Sequence, residues 1–383
     1  GFHVWSETYD RQLMDIFAIQ DEIAHAIANA LQVKLGAEHS DGPVKPETTD
    51  LEAYDDYLKG MSLWQARGAD NIFEAERLFR AAIARDPQFA KAWAGLALTY
   101  VLFPEWTQEP IISSWLQARD AAEHAISLDP NLPEPYAALG YIAMGEFRFA
   151  TGRALFARAI AIAPSYATAH QWLGEGLLYE GDREGALEST RQATQLDRKS
   201  AITRMAHANQ LWQLEREDEA AEACRSALAE QPGFITCLVM LHSVAILRGD
   251  YATARSVLRQ LAESRGAESV RFVDQMVDAL EGKIESAEIA AQLAGMPDGV
   301  TDLQALSPLA DYDAAFWLVQ SGHLELAMQR VRALQQKLPF WARGMMFDPH
   351  MAALNCLPEF QAMAKQYQVA DEHVAAMCKR SGG

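Results

Sequence analysis

The chain is poor in cysteine, in positive charge and in long apolar runs. Its 383 residues hold four cysteines, too few for a disulfide scaffold, although one or two bridges fit the count. Lys and Arg number 33 against 52 Asp and Glu, a formal net charge of −19. Nucleic-acid binders gather basic residues on one face to meet phosphates, so this balance argues against bound nucleic acid and favours a neutral to basic partner. The longest apolar stretch, Trp93 to Phe103, stops at Pro104 and Glu105, well short of the roughly 20 residues that cross a bilayer, and no membrane insertion is expected. Neither a GxSxG elbow nor a glycine loop for phosphate occurs. Carboxylates fall mostly at helix starts and solvent-facing positions, so neither a catalytic set nor a cofactor is expected. The chain starts at Gly1 with neither Met nor a signal peptide, which reads as a piece cut from a longer protein.

What the sequence does have is a period. Helix-ending prolines or their substitutes stand in "RDPQFA", "LDPNLP", "IAPSYA", "LDRKSA" and "EQPGFI", at Pro87, Pro130, Pro164, Arg198 and Pro232, in steps of 43, 34, 34 and 34. Between them recur Trp93, Leu96, Ala97 and Tyr100; then Tyr136, Leu139, Gly140, Phe156 and Ala159; then Leu173, Gly174, Gly181, Ala186 and Ala193. A step of 34 with these residue types resembles a tetratricopeptide repeat (TPR) over residues 51–265, about six repeats. The resemblance implies an all-α fold, a right-handed TPR α-solenoid in which stacked helical hairpins bury a stripe that no single hairpin can cover. Gly or Ala at the contact of two helices lets their backbones approach, and larger neighbours fill the gaps. The 43-residue step reads as one unit with "PEWTQEPII" inserted between its two helices.

The tripeptide Arg248-Gly249-Asp250 aligns with Gly181 in "EGDREGA". It reads as turn chemistry, a residue tolerant of positive φ before an Asp that caps the next helix, and not as an adhesion signal. Thr49 and Glu52 read as a capping box opening the first repeat. Residues 266–307 keep helical periodicity but lose the repeat types, a degenerate unit ending in a loop around Pro297, Gly299 and Pro308. Residues 308–339 restore the repeat with Gly322, Ala327, Leu334 and Pro339, and 340–383 read as short helices capping the open end of the stack.

At the other end, Ile16, Ile19, Ile23, Ala26, Ile27, Ala30 and Leu31 share one face of an amphipathic helix. Residues 36–50 form a linker rich in Gly, Pro, Asp and Thr. Trp5, Tyr9, Asp10, Arg11, Asp15, Phe17, Gln20, Asp21, Glu22 and Ile23 make residues 1–35 similar to the final strand and helix of the TolB-like domain that precedes repeats in bacterial regulators. The closing "FDPHMAALNCLPEF" is similar to the ends of those chains. The resemblance implies the regulatory or sensory end of a bacterial multidomain protein whose head is an adenylate-cyclase or winged-helix domain, with the array in the cytoplasm or on the periplasmic side of a tethered protein.

Two sets of residues are functional candidates. First-helix side chains line the inside of such a superhelix, and Tyr141, Met144, Gln171, Trp172, Glu175, Leu178, Met205, Asn209, Trp212, Val239 and Ser243 read as a groove for an extended peptide or amphipathic helix. The alternative is that they pack between repeats. As interface anchors, Trp172 and Trp212 would each carry about 2 kcal/mol of binding without supporting the fold. Met205 stands where a basic clamp for a C-terminal carboxylate would need Lys beside Asn209, which disfavours chaperone-tail binding. The second set, His207, Cys224, Cys237 and His242, falls near one seam and reads as core packing, a Cys224–Cys237 bridge or a weak metal site, although no close CxxC or HxxxH spacing is present. Cys356 and Cys378 are a further candidate bridge. The function read from this is a non-enzymatic protein- or peptide-binding scaffold. The alternative is a sensor of a small molecule or metal in an inter-repeat pocket, and self-association as a homo-oligomer is a third reading.

Overall fold

The computed structural model describes residues 48–107, 109–265, 268–295 and 310–382. The TolB-like segment 1–35, nearly all of the linker and the loop at 297–308 lie outside the described residues. Within them every element is a helix. Eight pairs follow one another: α1 (Leu51–Ala66) with α2 (Ala69–Arg85), α3 (Ala90–Trp106) with α4 (Ile111–Leu128), α5 (Pro133–Gly145) with α6 (Phe149–Ile162), and α7 (Ala167–Glu180) with α8 (Arg183–Leu196). Next come α9 (Ala201–Gln213) with α10 (Glu217–Glu230), α11 (Ile235–Leu247) with α12 (Tyr251–Arg265), α13 (Glu268–Leu280) with α14 (Ser286–Gly295), and α15 (Ala310–Gln320) with α16 (Leu324–Lys337). The two helices of each pair pack on one another, and each pair packs on the next. The architecture is an all-α TPR-type solenoid. The chain ends in α17 (Pro339–Gly344), two 3-10 segments (Met345–Phe347 and Pro349–Cys356), α18 (Pro358–Gln366) and α19 (Asp371–Arg380).

The period shows in the backbone as well as in the residues. Phe147, Gly181, Glu215 and Gly249, spaced 34 apart, end the first helix of successive hairpins with φ of 62°, 100°, 56° and 65°. A left-handed residue turns the chain without a long loop, and glycine does so without steric cost. After Gly181 and Gly249 come capping aspartates: Asp182 accepts from the Gly185 amide at 2.9 Å and Asp250 from Thr253 at 3.0 Å. Arg248-Gly249-Asp250 is thus the joint between α11 and α12.

Two local readings change. Asp50, not Thr49, caps α1, accepting from Ala53 N at 2.9 Å, while Thr48 Oγ1 accepts from Asp50 N at 3.1 Å. A carboxylate there satisfies an orphan amide and meets the positive end of the helix dipole. The insertion divides between the end of α3, which runs through Pro104 to Trp106, a short link, and the start of α4 at Ile111.

Small residues sit where the helices touch. A Cβ on Gly95 would lie 2.5 Å from the Phe79 ring and one on Gly60 2.8 Å from it, so one buried ring fills the space that two glycines leave. The array winds tightly enough for its first hairpin to meet later ones. Trp64 packs edge-on to Trp172 at 6.0 Å, and Gln231 Nε2 reaches the Ala66 carbonyl at 3.4 Å.

The closing helices pack on the last hairpin, where Arg332 pairs with Glu359 at 2.5 Å, and the segment leading into them also lies against the inner face. Phe340 stacks on Trp115 at 5.6 Å and meets Tyr179 edge-on at 5.3 Å, and Asp348 reaches Trp212 and Gln213. The segment after Pro339 is rich in Phe, Trp and Met, and it finds more apolar surface to bury inside the superhelix than on the last hairpin.

Candidate functional site

Where the returning segment meets the first helices, a cavity of about 140 Å³ remains. Tyr141, Gln171, Trp172, Glu175, Leu178, Met205, Asn209, Trp212, Val239 and Ser243 all line it. Met144 does not; it packs between hairpins, where a Cβ on Gly152 or Gly176 would come within 2.7 Å of it. The inner face is therefore no open groove. Trp172 is 1% exposed and Trp212 4%, because Phe340, Trp341, Tyr312 and Phe316 of the returning segment and α15 close over the array. Both tryptophans are core as well as wall, so they cannot be anchors without weight in the fold.

The chamber also has walls that the repeat pattern did not disclose. Arg67 lies just past α1 with φ 59°, buried, its guanidinium 3.9 Å above the Trp64 ring and donating to the Trp64 carbonyl. Burial pulls its pKa down to about 10 against the pull of Glu175 and Glu105. Glu105 accepts from the Tyr141 hydroxyl and, at 3.5 Å, from Trp341 Nε1. Burial raises its pKa despite those bonds and Arg67. Glu175 accepts from Gln171 Nε2 at 2.9 Å, yet burial pushes it up to about 8, with Glu105 adding to the rise.

Gln210 is 1% exposed, lines the chamber, and has no partner for either Nε2 or Oε1; Gln213 Oε1 and Thr236 Oγ1 are likewise buried without one. Buried polar atoms normally have partners, and these find none among the described protein atoms. Gln210 and Gln213 follow Asn209 on the inward face of α9, and the helical period that found Asn209 could have found them. Trp341 follows the last repeat-ending proline and carries no such signal, whereas Tyr312 stands on the first helix of the restored repeat, where the same period could have found it.

One buried carboxylate fastens the segment. Asp348, fully buried, accepts from Trp212 Nε1 at 3.3 Å, Gln213 Nε2 at 3.2 Å, the Tyr312 hydroxyl, and His350 through its amide at 2.9 Å and Nδ1 at 3.0 Å. Burial opposes its charge, but the bonds and charge of His350 and the bond from Tyr312 prevail and hold it below the usual range. Burial likewise opposes the His350 cation, which Asp348 and Glu217 nevertheless favour, so its pKa is raised. The ring of His350 stacks on Trp212 at 4.0 Å.

The His/Cys set does not assemble. Cys224 and Cys237 are buried free thiols beside each other, and burial raises the Cys224 thiol well above its usual range. His207 Nδ1 pairs with Thr190 Oγ1 at 3.1 Å. His242 borders a second cavity of about 50 Å³, where burial lowers its pKa to about 4. Among the described residues no group of three or more metal-ligating side chains is found. Cys356 and Cys378 are bridged, tying the last 3-10 segment to α19. No helix among the described residues is long and apolar enough to cross a membrane.

No protein-family model matches the chain. It is 34% identical over 136 residues to a putative adenylate cyclase 3 of Rhizobium meliloti, a match spanning 35% of this chain and only 23% of that protein's length. Among solved structures it is similar to an IFIT1 monomeric mutant with m7Gppp-AAAA, at 15% identity and a TM-score of 0.50, covering 95% of this chain and 80% of that one. It is also similar to a thermophilic TPR protein of Thermus thermophilus, at 21% identity and a TM-score of 0.42, covering 51% of this chain and 99% of that one. At 15% identity the likeness to the first of these is one of fold alone.

Proposed function

We propose that the chain is a non-enzymatic regulatory module, one end of a longer bacterial signalling protein, that holds a small molecule in its inner chamber. The observation that carries this reading is the position of Phe340 and Trp341 against the first helices. An extended peptide would have to displace them, whereas a compact ligand has a concave, partly open space of about 140 Å³ and pre-formed apolar walls, as small-molecule sites usually have. The partial identity to a putative adenylate cyclase supports a place at one end of a signalling protein. Thermal-shift screening of the purified chain against a metabolite library tests the proposal. One ligand giving a large shift supports it, and a uniformly flat response from the folded protein refutes it.

A second reading, association through the outer face, has its own observation. Ile112 and Leu116, one turn apart on α4, are 76% and 56% exposed, and neighbouring exposed apolar residues mark contact surfaces. Sedimentation velocity of the wild type and an Ile112→Asp variant tests this, since self-association through this face must weaken in the variant.

A further inference from the structure

The charge and the rings around the chamber define its ligand more narrowly than its volume does. Three carboxylates, Glu105, Glu175 and Asp313, line it against one guanidinium, Arg67. Arg67 is already committed to the Trp64 carbonyl and ring. Glu105 lies between Tyr141 and Trp341, and Tyr141 in turn packs on Trp172 at 4.9 Å. Aromatic faces carry negative potential and attract cations, more strongly where water is excluded. An anion would oppose ionisation of Glu105 and Glu175, whereas a cation would favour it and add to the single positive charge that Arg67 brings to them.

We infer that the chamber binds a small organic cation, an amine whose ammonium group meets Glu105 and Glu175 while its apolar body lies among Tyr141, Trp172, Tyr179 and Trp341. This rests on the reading of the chamber as a ligand site. Gln210 contributes the second, independent sign of a ligand. Its amide is buried at the chamber wall with donor and acceptor both unused, placed to bond a polar substituent of the guest. The size is also right, since a protein cavity of roughly 150 Å³ accommodates a benzene-sized molecule. Burial hinders ionisation of both glutamates, the state that a bound ammonium would reverse.

The test uses three probes of one shape and different charge, titrated calorimetrically into the whole chain: benzylamine, benzyl alcohol and benzoate. The expected result is benzylamine binding at least tenfold tighter than benzyl alcohol, with benzoate weakest. In Glu175→Gln the amine should lose about tenfold in affinity while the alcohol is unchanged. Should Glu175→Gln fail to fold, the wild-type ranking decides alone. Equal binding of amine and alcohol, or preference for benzoate, overturns the cation inference while leaving a ligand chamber in place. If none of the three binds, the cation inference falls, and the metabolite screen then reports whether the chamber reading falls with it. Tight amine binding that Glu175→Gln leaves intact overturns the assigned contact.

Discussion

Trp212 and Asp348 are 136 residues apart in the chain and joined by a buried hydrogen bond of 3.3 Å from the indole Nε1 to the carboxylate. Gln213, Tyr312 and His350 donate to the same carboxylate, so one side chain ties α9, α15 and the terminal segment together. Asp348→Ala would strand those buried donors and remove the counterion of His350. Breaking a buried charged network in this way costs about 3 to 5 kcal/mol. Urea unfolding measures the loss, and limited proteolysis should show the segment after Pro339 cut sooner. A change below about 1 kcal/mol would show that the network does not hold the segment.

Glu175 makes stability depend on pH in a defined direction. Its folded-state pKa stands at about 8 against an ordinary 4.5, so the folded state keeps a proton that the unfolded chain releases. Its contribution is complete below pH 4.5 and is lost as pH rises through about 8. His350, also raised, acts in the same sense, while depressed Asp348 acts only at acid pH. The melting temperature of the wild type should fall from pH 6.5 to pH 8, above the range in which the depressed His242 adds stability with rising pH, by roughly a few degrees, and Glu175→Gln should flatten that fall. A wild type whose melting point climbs over this range contradicts the assignment.

The Cys356–Cys378 bridge closes a loop with a sequence separation of 22. Loop-closure entropy gives a bridge of that span about 3 kcal/mol. A Cys356→Ser, Cys378→Ser double variant should lose about that much in denaturant titration, and the wild type in reductant should match it. Cys224 and Cys237, free and buried, should stay unreactive toward a thiol reagent until the array unfolds.

Gly249 isolates backbone strain from packing. Its φ is 65° and an added Cβ would meet nothing within 4 Å, so Gly249→Ala costs only the left-handed conformation, about 1 kcal/mol. Gly95→Ala, whose Cβ would strike the buried Phe79 ring at 2.5 Å, should cost more, about 2 to 3 kcal/mol. Equal losses in the two would mean that the ring yields freely.

The hairpins were legible because helix packing writes a regular rule into the chain. Gly140 and Gly174 must be small because Phe156 and Thr190 need the room, and this pair recurs at the 34-residue step. The turns were legible in part: Gly181 and Gly249 announce a positive φ, whereas Phe147 and Glu215 hold the same conformation without a residue that favours it. Phe147 is retained by contacts with Tyr367 and Arg343 from the far end of the chain, which no local pattern encodes. Ten of the eleven inner-face candidates line the chamber, and an inward helical position looks the same in sequence whether water or another segment lies opposite it.

The sequence by itself determined the all-helical array, its step and the side of each helix that faces inward, because these follow from local residue types repeating at short range. Only the tertiary structure decided what the inward side meets. Burying Phe340, Trp341 and Phe347 yields most free energy where other aromatic rings already face one another. The winding of the superhelix creates that place, and no window of sequence contains it.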